Sequence, residues 1–304
     1  MKIEIIGAQR RNNGIGEYIA RYLHVFGAQV AAVVSRSANG AYEAATVLSR
    51  YGMHPAPFDS FGEMIRTTRP DAVVVASPTP THRHYLELCC EAGVSVLCDK
   101  PFVSPQEPDA IGFVEDVLTH CKRIGTKVSM NSQWPFSIPH YEKLCGHPGE
   151  RVIESFFMRL SPSVRGIDMI PDSLPHALSV LYCSVGPGRV LDVFFEKGDD
   201  TLRVTFTYEG AHARVPAKVE LEREVSQPRT FAFGFNGRIA TRTIDAATYT
   251  ISLEYEGNTL VIPDPLESSV RDFLEALQGR KEPLIGADHI MDTTRNLCEI
   301  YERY

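Results

Sequence analysis

Short apolar runs alternate with amphipathic stretches through the first 125 residues. Residues 3–6, 30–34, 54–58, 72–76 and 94–98 read as strands, and 15–26, 41–51, 61–67, 85–92 and 110–121 as helices. Strands apolar on both faces and separated by helices predict a parallel sheet covered on both sides. Right-handed crossovers make it doubly wound. From about residue 127 the pattern changes. Segments 128–131, 151–160, 190–196, 201–208, 217–224, 230–235, 248–255 and 259–262 carry strand-like composition, with Gly-, Asn- and Asp-containing turns between them. Their close succession predicts an open, mostly antiparallel sheet. Helical patterns at 171–183, 268–277 and 287–304 complete an α+β domain. The expected division is 1–125 and 126–304.

Length agrees with that division, since 304 residues exceed the usual single core. A formal charge of -7 argues against nucleic acid or an anionic membrane as partner and leaves a small molecule as the expected ligand. The seven cysteines form no C-x-x-C pair and mostly lie in apolar segments, as buried reduced thiols do. No apolar run is long enough to span a bilayer, and residues 2–6 show no signal core. A reduced, cytoplasmic setting is the expectation. No group of side chains has metal-ligand spacing, so no metal is assigned.

Candidate chemistry gathers where strands end, because in open α/β sheets ligands sit at the carboxyl edge. After residues 3–6 comes a loop from Gly7 to Gly16 that includes Arg10, Arg11, Asn13, Gly14 and Ile15. Glycines there let backbone approach a pyrophosphate at the following helix N-terminus. The loop is longer than G-x-G-x-x-G, and Arg10 and Arg11 either clamp phosphate oxygens or are solvated charges. The second strand ends in Ser35-Arg36-Ser37, a cation and two hydroxyls with no carboxylate. This favours NADP over NAD, whose ribose is usually met by an acid; NAD stays possible if Arg36 only stacks on adenine. Two further strand ends deliver Ser77-Pro78-Thr79-Pro80-Thr81-His82 and Asp99-Lys100-Pro101. Pro101 restricts Lys100 to extended backbone, from which its amine can reach a substrate oxygen. In the second domain Asp172 and His176 stand at i and i+4, one helix face. They are either a cap and a first-turn histidine or an acid–base histidine with its carboxylate.

Taken in order, these motifs resemble the glucose–fructose oxidoreductase / inositol dehydrogenase / MocA family. The family shows a glycine loop, T-P-N-x-x-H, A-G-x-x-V-x-x-E-K-P and D-x-G-x-H; this chain has Ser77-Pro78-Thr79-Pro80-Thr81-His82, then Ala92-Gly93 through Asp99-Lys100-Pro101, then Asp172 to His176. The resemblance implies an N-terminal Rossmann domain and hydride transfer at a nicotinamide. Lys100, Asp172 and His176 match its catalytic positions, Pro78 and His82 its nicotinamide cleft, and a cis-proline often follows the lysine. A homodimer or homotetramer through the C-terminal sheet is expected by the same analogy. Three positions depart from the pattern. Asp99 replaces Glu, Leu174 with Pro175 beside it replaces the motif glycine, and Gln133 stands where many members carry Arg.

Further substrate contacts are Trp134, which either stacks on a ring or packs under the sheet, and Arg165, which either meets an anion or is solvated. The expected function is an NADP(H)-preferring oxidoreductase of a small polyol, sugar derivative or related carbonyl or imine compound. The alternative is a catalytically silent cofactor-binding sensor or transcriptional co-regulator of the same fold.

Overall fold

The computed structural model describes residues 1–8, 14–146 and 152–304. The chain forms two compact units, Met1–Asn131 with Leu266–Ile290, and Ser132–Pro265 with Met291–Tyr304. The first unit runs β1 (Ile3–Ile6), α1 (Gly16–Val25), β2 (Ala32–Val34), α2 (Ala38–Ser49), β3 (Ala56–Phe58), α3 (Phe61–Thr68), β4 (Ala72–Val75), α4 (His82–Ala92), β5 (Ser95–Asp99), α5 (Ala110–Ile124) and β6 (Val128–Asn131). Its sheet is parallel with order β3-β2-β1-β4-β5-β6. Strand order reverses between β1 and β4, which makes the space beyond their carboxyl ends the ligand-binding crevice. Side-chain caps set where helices begin: Ser37 accepts from the Gly40 amide, Ser60 from Glu63 and Asp109 from Gly112.

A buried acid corrects the join between β1 and β2. Lys2 bridges Gln29, whereas Ile5 pairs with Val33, so the β2 side carries one extra residue between the two contacts. The Ala32 amide is thereby left out of the ladder, and the Glu4 carboxylate accepts its hydrogen bond. Glu4 is wholly buried, and its other oxygen has no partner. Burial pushes this carboxyl above its usual range, against the opposing pull of Thr68 and the Ala32 amide.

The second unit contains α6 (Ile138–Cys145), β7 (Phe156–Leu160), α7 (Met169–Val185), β8 (Gly188–Lys197), β9 (Thr201–Gly210), β10 (Arg214–Glu222), β11 (Phe231–Phe235), β12 (Arg238–Asp245), β13 (Thr250–Tyr255) and β14 (Asn258–Ile262). Among the described residues its sheet has eight strands, ordered β14-β13-β12-β11-β7-β10-β9-β8. Only β7 and β10 pair in parallel. One face is apolar: Met158, Val204, Val219 and Phe233 pack with Leu174, Leu178 and Leu181 of α7. The other is charged, with Arg159, Lys218 and Arg203 around Glu220. Hydrogen bonds from Lys218 and Arg159 hold the Glu220 carboxyl down to about 2. Alternation along β9 and β10 thus separates core from ion pairs.

Two elements escaped the sequence reading. The run Arg238–Asp245 has Arg238 and Arg242 on one strand face and Thr241 and Thr243 on the other, so neither face reads as apolar. The helix Ile138–Cys145 opens with Pro139 in its first turn, where a missing amide costs nothing.

The chain then returns. The helix α8 (Pro265–Leu277) buries Leu266, Val270, Phe273 and Leu274 against Ile3, Ile5, Ile19 and Leu23 of the first unit. It is followed by α9 (Ala287–Glu302), whose first residues belong to the first unit and the remainder to the second. The first unit therefore draws on two stretches of sequence, and the crossing falls after Asn131 instead of at 125. No helix among the described residues is long and apolar enough to cross a membrane.

Candidate active site

At the switch point in the first unit, backbone segments meet too closely for side chains. A Cβ on Gly7, whose φ is +86°, would stand 2.6 Å from the Ala76 carbonyl oxygen and the Ser77 amide. One on Gly16 would stand 2.5 Å from the Gly7 carbonyl. Both positions demand glycine so that the ends of β1 and β4 and the start of α1 can converge. The capping residue of α1, Ile15, has no side chain that can accept from the first-turn amides, and a helix N-terminus favours an anion. These residues fit a dinucleotide pyrophosphate. Gly14 and Ile15 lead into α1, with Ile15 as its capping residue. Arg10, Arg11 and Asn13 lie outside the described residues.

At the end of β2, the Ser35 amide bonds the Phe58 carbonyl, Ser37 caps α2, and Arg36 is exposed. Arg36 lies near enough to Tyr85 for its charge to draw the phenol down, although burial raises it overall.

The ends of β4 and β5 are tied together by one imidazole. Ring atoms Nδ1 and Nε2 of His82 lie 2.8 Å from the carbonyl oxygens of Pro101 and Ser77 respectively. His82 is 1% exposed, so this residue spans two strand ends from within. The Ser77 and Thr81 hydroxyls lie 2.7 Å apart, and Thr81 donates to the Pro78 carbonyl, which shapes the turn through Pro78 and Thr79. Asp99 accepts from Asn131 Nδ2 at 3.2 Å, and Ser269 Oγ of α8 donates to Asn131 Oδ1 at 2.9 Å. Burial raises the Asp99 carboxyl while Lys100 and His82 pull it down. The Lys100–Pro101 peptide is cis. Asn131 and Ser269 were not singled out from the sequence; a polar residue ending β6, as at the neighbouring strand ends, was the available signal.

In the second unit Asp172 lies in the first turn of α7, with His176 one turn on. Ser173 Oγ donates to Asp172 Oδ2 at 3.3 Å. Leu174, where the motif has glycine, is wholly buried in the core, and Pro175 sits inside the helix without an amide to give. His176 Nδ1 lies 3.0 Å from Ser132 Oγ, which also reaches the Pro175 carbonyl at 3.4 Å. With Nδ1 protonated, the hydroxyl accepts from the ring and donates to Pro175, and Nε2 keeps a lone pair. With the hydroxyl turned toward Nδ1, Nε2 carries the proton instead. Ser132 was missed in the sequence, where it reads as a small residue between Asn131 and Gln133.

Trp134 is 5% exposed and stacks on Phe231 at a centroid distance of 3.5 Å. Its ring also meets His176 edge-on at 6.3 Å. Arg242 sits over the same indole, its Cζ 5.3 Å from the ring centroid. Arg165 gives its fork to Asp200, at 2.5 and 3.1 Å, and both are exposed.

Comparison with known proteins agrees with this geometry. Residues 1–132 match the model of the "Oxidoreductase family, NAD-binding Rossmann fold", GFO_IDH_MocA. Over those residues the chain is similar to the NAD-binding domain of Gfo/Idh/MocA oxidoreductases. Among relatives of this chain is UDP-N-acetylglucosamine 3-dehydrogenase of Acidithiobacillus ferrooxidans, 26% identical over 69% of this chain and 71% of that one. Another is inositol 2-dehydrogenase 2 of Saccharopolyspora erythraea, 39% identical over 27% of this chain and 23% of that one. The solved structure of the Acidithiobacillus enzyme shares the fold at a TM-score of 0.74, with 19% identity over 99% of this chain and 96% of that one. The match gives residues 1–132 the NAD-binding Rossmann fold, in agreement with the strand order of the first unit.

Proposed function

We propose that the chain is an NADP(H)-preferring dehydrogenase of a polyol, sugar derivative or related carbonyl or imine compound. Lys100, Asp172 and His176 are its catalytic side chains in this reading. The cofactor choice is carried by the end of β2, where Ser35-Arg36-Ser37 offers a guanidinium and no carboxylate. A carboxylate at this place suits the ribose hydroxyl of NAD, and a guanidinium suits the 2′-phosphate of NADP. The substrate class is supported by the relatives, whose printed names give a sugar nucleotide and an inositol.

The bound nicotinamide supplies or accepts the hydride. His176 takes the proton of the substrate hydroxyl at Nε2 as a carbon–oxygen double bond forms, or returns it in reduction. Ser132 holds Nδ1 and orients the ring, and in this reading it accepts from Nδ1 so that Nε2 carries the lone pair. Asp172, on the same helix face, favours the imidazolium that forms. The Lys100 ammonium donates to the reacting oxygen and stabilises negative charge there.

Titrating the protein with NADPH and NADH by nicotinamide fluorescence tests the cofactor choice. The expected result is NADPH binding about tenfold or more tightly, as a charge-assisted contact of roughly 1–3 kcal/mol gives. Equal affinities would overturn the preference, and failure of both to bind would overturn the dehydrogenase reading.

A further inference from the structure

We propose that Arg242, backed by Arg229, binds an anionic group of the substrate, a carboxylate or a phosphate, so that this dehydrogenase acts on a charged substrate. The inference rests on the reading above, in which the surface at His176 receives substrate, and it adds the substrate's charge.

Arg242 opposes Leu253 across the β12–β13 ladder. Leu253 is wholly buried in the core, and directly opposed side chains share a face, so Arg242 leaves the sheet on its apolar inner side. That is a costly place for a cation that does not give up its proton. Its surroundings supply little in return. The rings of Trp134 and Phe231 lie 5.3 and 5.8 Å from its Cζ and accept no hydrogen bond. One Nη2 donates to the Arg229 carbonyl. Arg242 Nε, together with Arg229 Nε and Nη2, is buried without a partner.

Carboxylates nearby are committed elsewhere. Glu224 spends both oxygens on Thr230, at 2.7 Å to its amide and 2.7 Å to its hydroxyl. Burial lowers the pKa of Arg242 and outweighs the electrostatic attraction of Tyr249, Asp264 and Glu224. Among the described residues neither guanidinium is in an ion pair. The Arg242 guanidinium lies against the Arg229 backbone, and the three unmet N–H positions on these two residues complement an oxyanion, which a guanidinium fork binds in bidentate fashion. Arg242 and His176 both pack against the Trp134 indole, at 5.3 and 6.3 Å from its centroid, so an anion at Arg242 is one indole away from the imidazole. Arg165, the arginine singled out in the sequence, already has Asp200.

Trp134 is the only tryptophan, which gives the test its signal. Protein saturated with NADPH, so that the pyrophosphate loop is filled, is titrated at constant ionic strength with inorganic phosphate and, separately, with malonate. A saturable change in indole emission and a rise in thermal midpoint are expected with at least one, and the effective anion tells phosphate from carboxylate. R242Q should weaken that binding about tenfold or more, the loss of one charged bidentate contact. R242K, which keeps charge without the fork, should fall between, R229Q should weaken it less, and R165Q should leave it unchanged. R242Q should unfold no earlier than wild type, since it removes a buried cation with an unmet N–H. No saturable response to either anion, equal binding in R242Q and wild type, or an R242Q protein that loses stability while R242K binds normally would overturn the proposal. None of these readings uses turnover, so such a failure leaves the dehydrogenase assignment intact.

Discussion

In the first unit, polar side chains at the sheet edge hold one another: His82 meets Ser77 and Pro101, Asp99 meets Asn131, and Asn131 meets Ser269. In the second, Ser132 sets His176, yet Arg242 and Arg229 leave three nitrogens unmatched inside the protein. The contrast follows from what each unit is asked to bind. A nicotinamide dinucleotide is the same molecule in every turnover, and an edge tied by backbone carbonyls is built for it in advance. A substrate side keeps polar groups unsatisfied until the ligand supplies their partners, at a cost in stability.

Removing the proposed catalytic groups should break the comparison most visibly. With a substrate found by screening polyols and sugar acids for NADP+ reduction, Lys100→Ala and His176→Ala are each expected to lower kcat about 10²–10⁴-fold. NADPH affinity should hold within about a factor of three, because neither change touches the glycine-lined end of β1. Steady-state rates with a parallel cofactor titration measure both quantities. Wild-type turnover in either variant removes that residue from the chemistry. A large loss of NADPH affinity in Lys100→Ala would instead assign the lysine to cofactor binding.

Arg36→Ala sharpens the picture of the first unit. It should weaken NADPH by roughly 1–3 kcal/mol and leave NADH nearly unchanged, since only the former carries a 2′-phosphate. Equal weakening of both would make Arg36 an adenine-stacking residue, the other reading of its sequence position.

Ser132→Ala probes the second unit more gently. The lost hydroxyl is a positioning group, worth about 0.5–1.5 kcal/mol, so kcat should fall on the order of tenfold or less. A residue that only packs would leave the pH profile in place. Loss of the Nδ1 partner should move the limb of kcat assigned to His176, and Ser132→Thr, which restores a hydroxyl, should return it. An unmoved limb would reduce Ser132 to a packing role.

The parallel sheet and the residues at its carboxyl edge were legible because each signal is local. An apolar run followed by a polar tip reports both a strand and where it ends. Three features were hidden for related reasons. The helix α8 completes the first core from residue 266 onward, and its buried face reads the same whichever sheet it covers. The role of Ser132 depends on Pro175 and His176, 43 and 44 positions away. Arg242 looks like an ordinary solvent-facing residue of a mixed strand until the β12–β13 register puts it opposite Leu253. Burial of a charge is a tertiary fact that no short pattern carries.

The smallest effect concerns Glu4, a second polar group inside the protein, but one that serves structure. Burial raises its carboxyl in the folded state. Between the ordinary value of about 4.3 and that raised value, the folded chain holds a proton that the unfolded chain has lost. Stability must therefore fall as pH climbs through this window and level off above it. Glu4→Gln keeps a carbonyl oxygen for the Ala32 amide and has no proton to lose. The variant is expected to match wild type near pH 4 and to exceed its unfolding free energy at pH 8. Subtracting the two urea-unfolding curves at each pH cancels every other titrating group and isolates this one. A difference independent of pH would mean that the carboxyl ionises alike in both states. A variant less stable at pH 8 would mean instead that the negative charge is what holds β2 to β1.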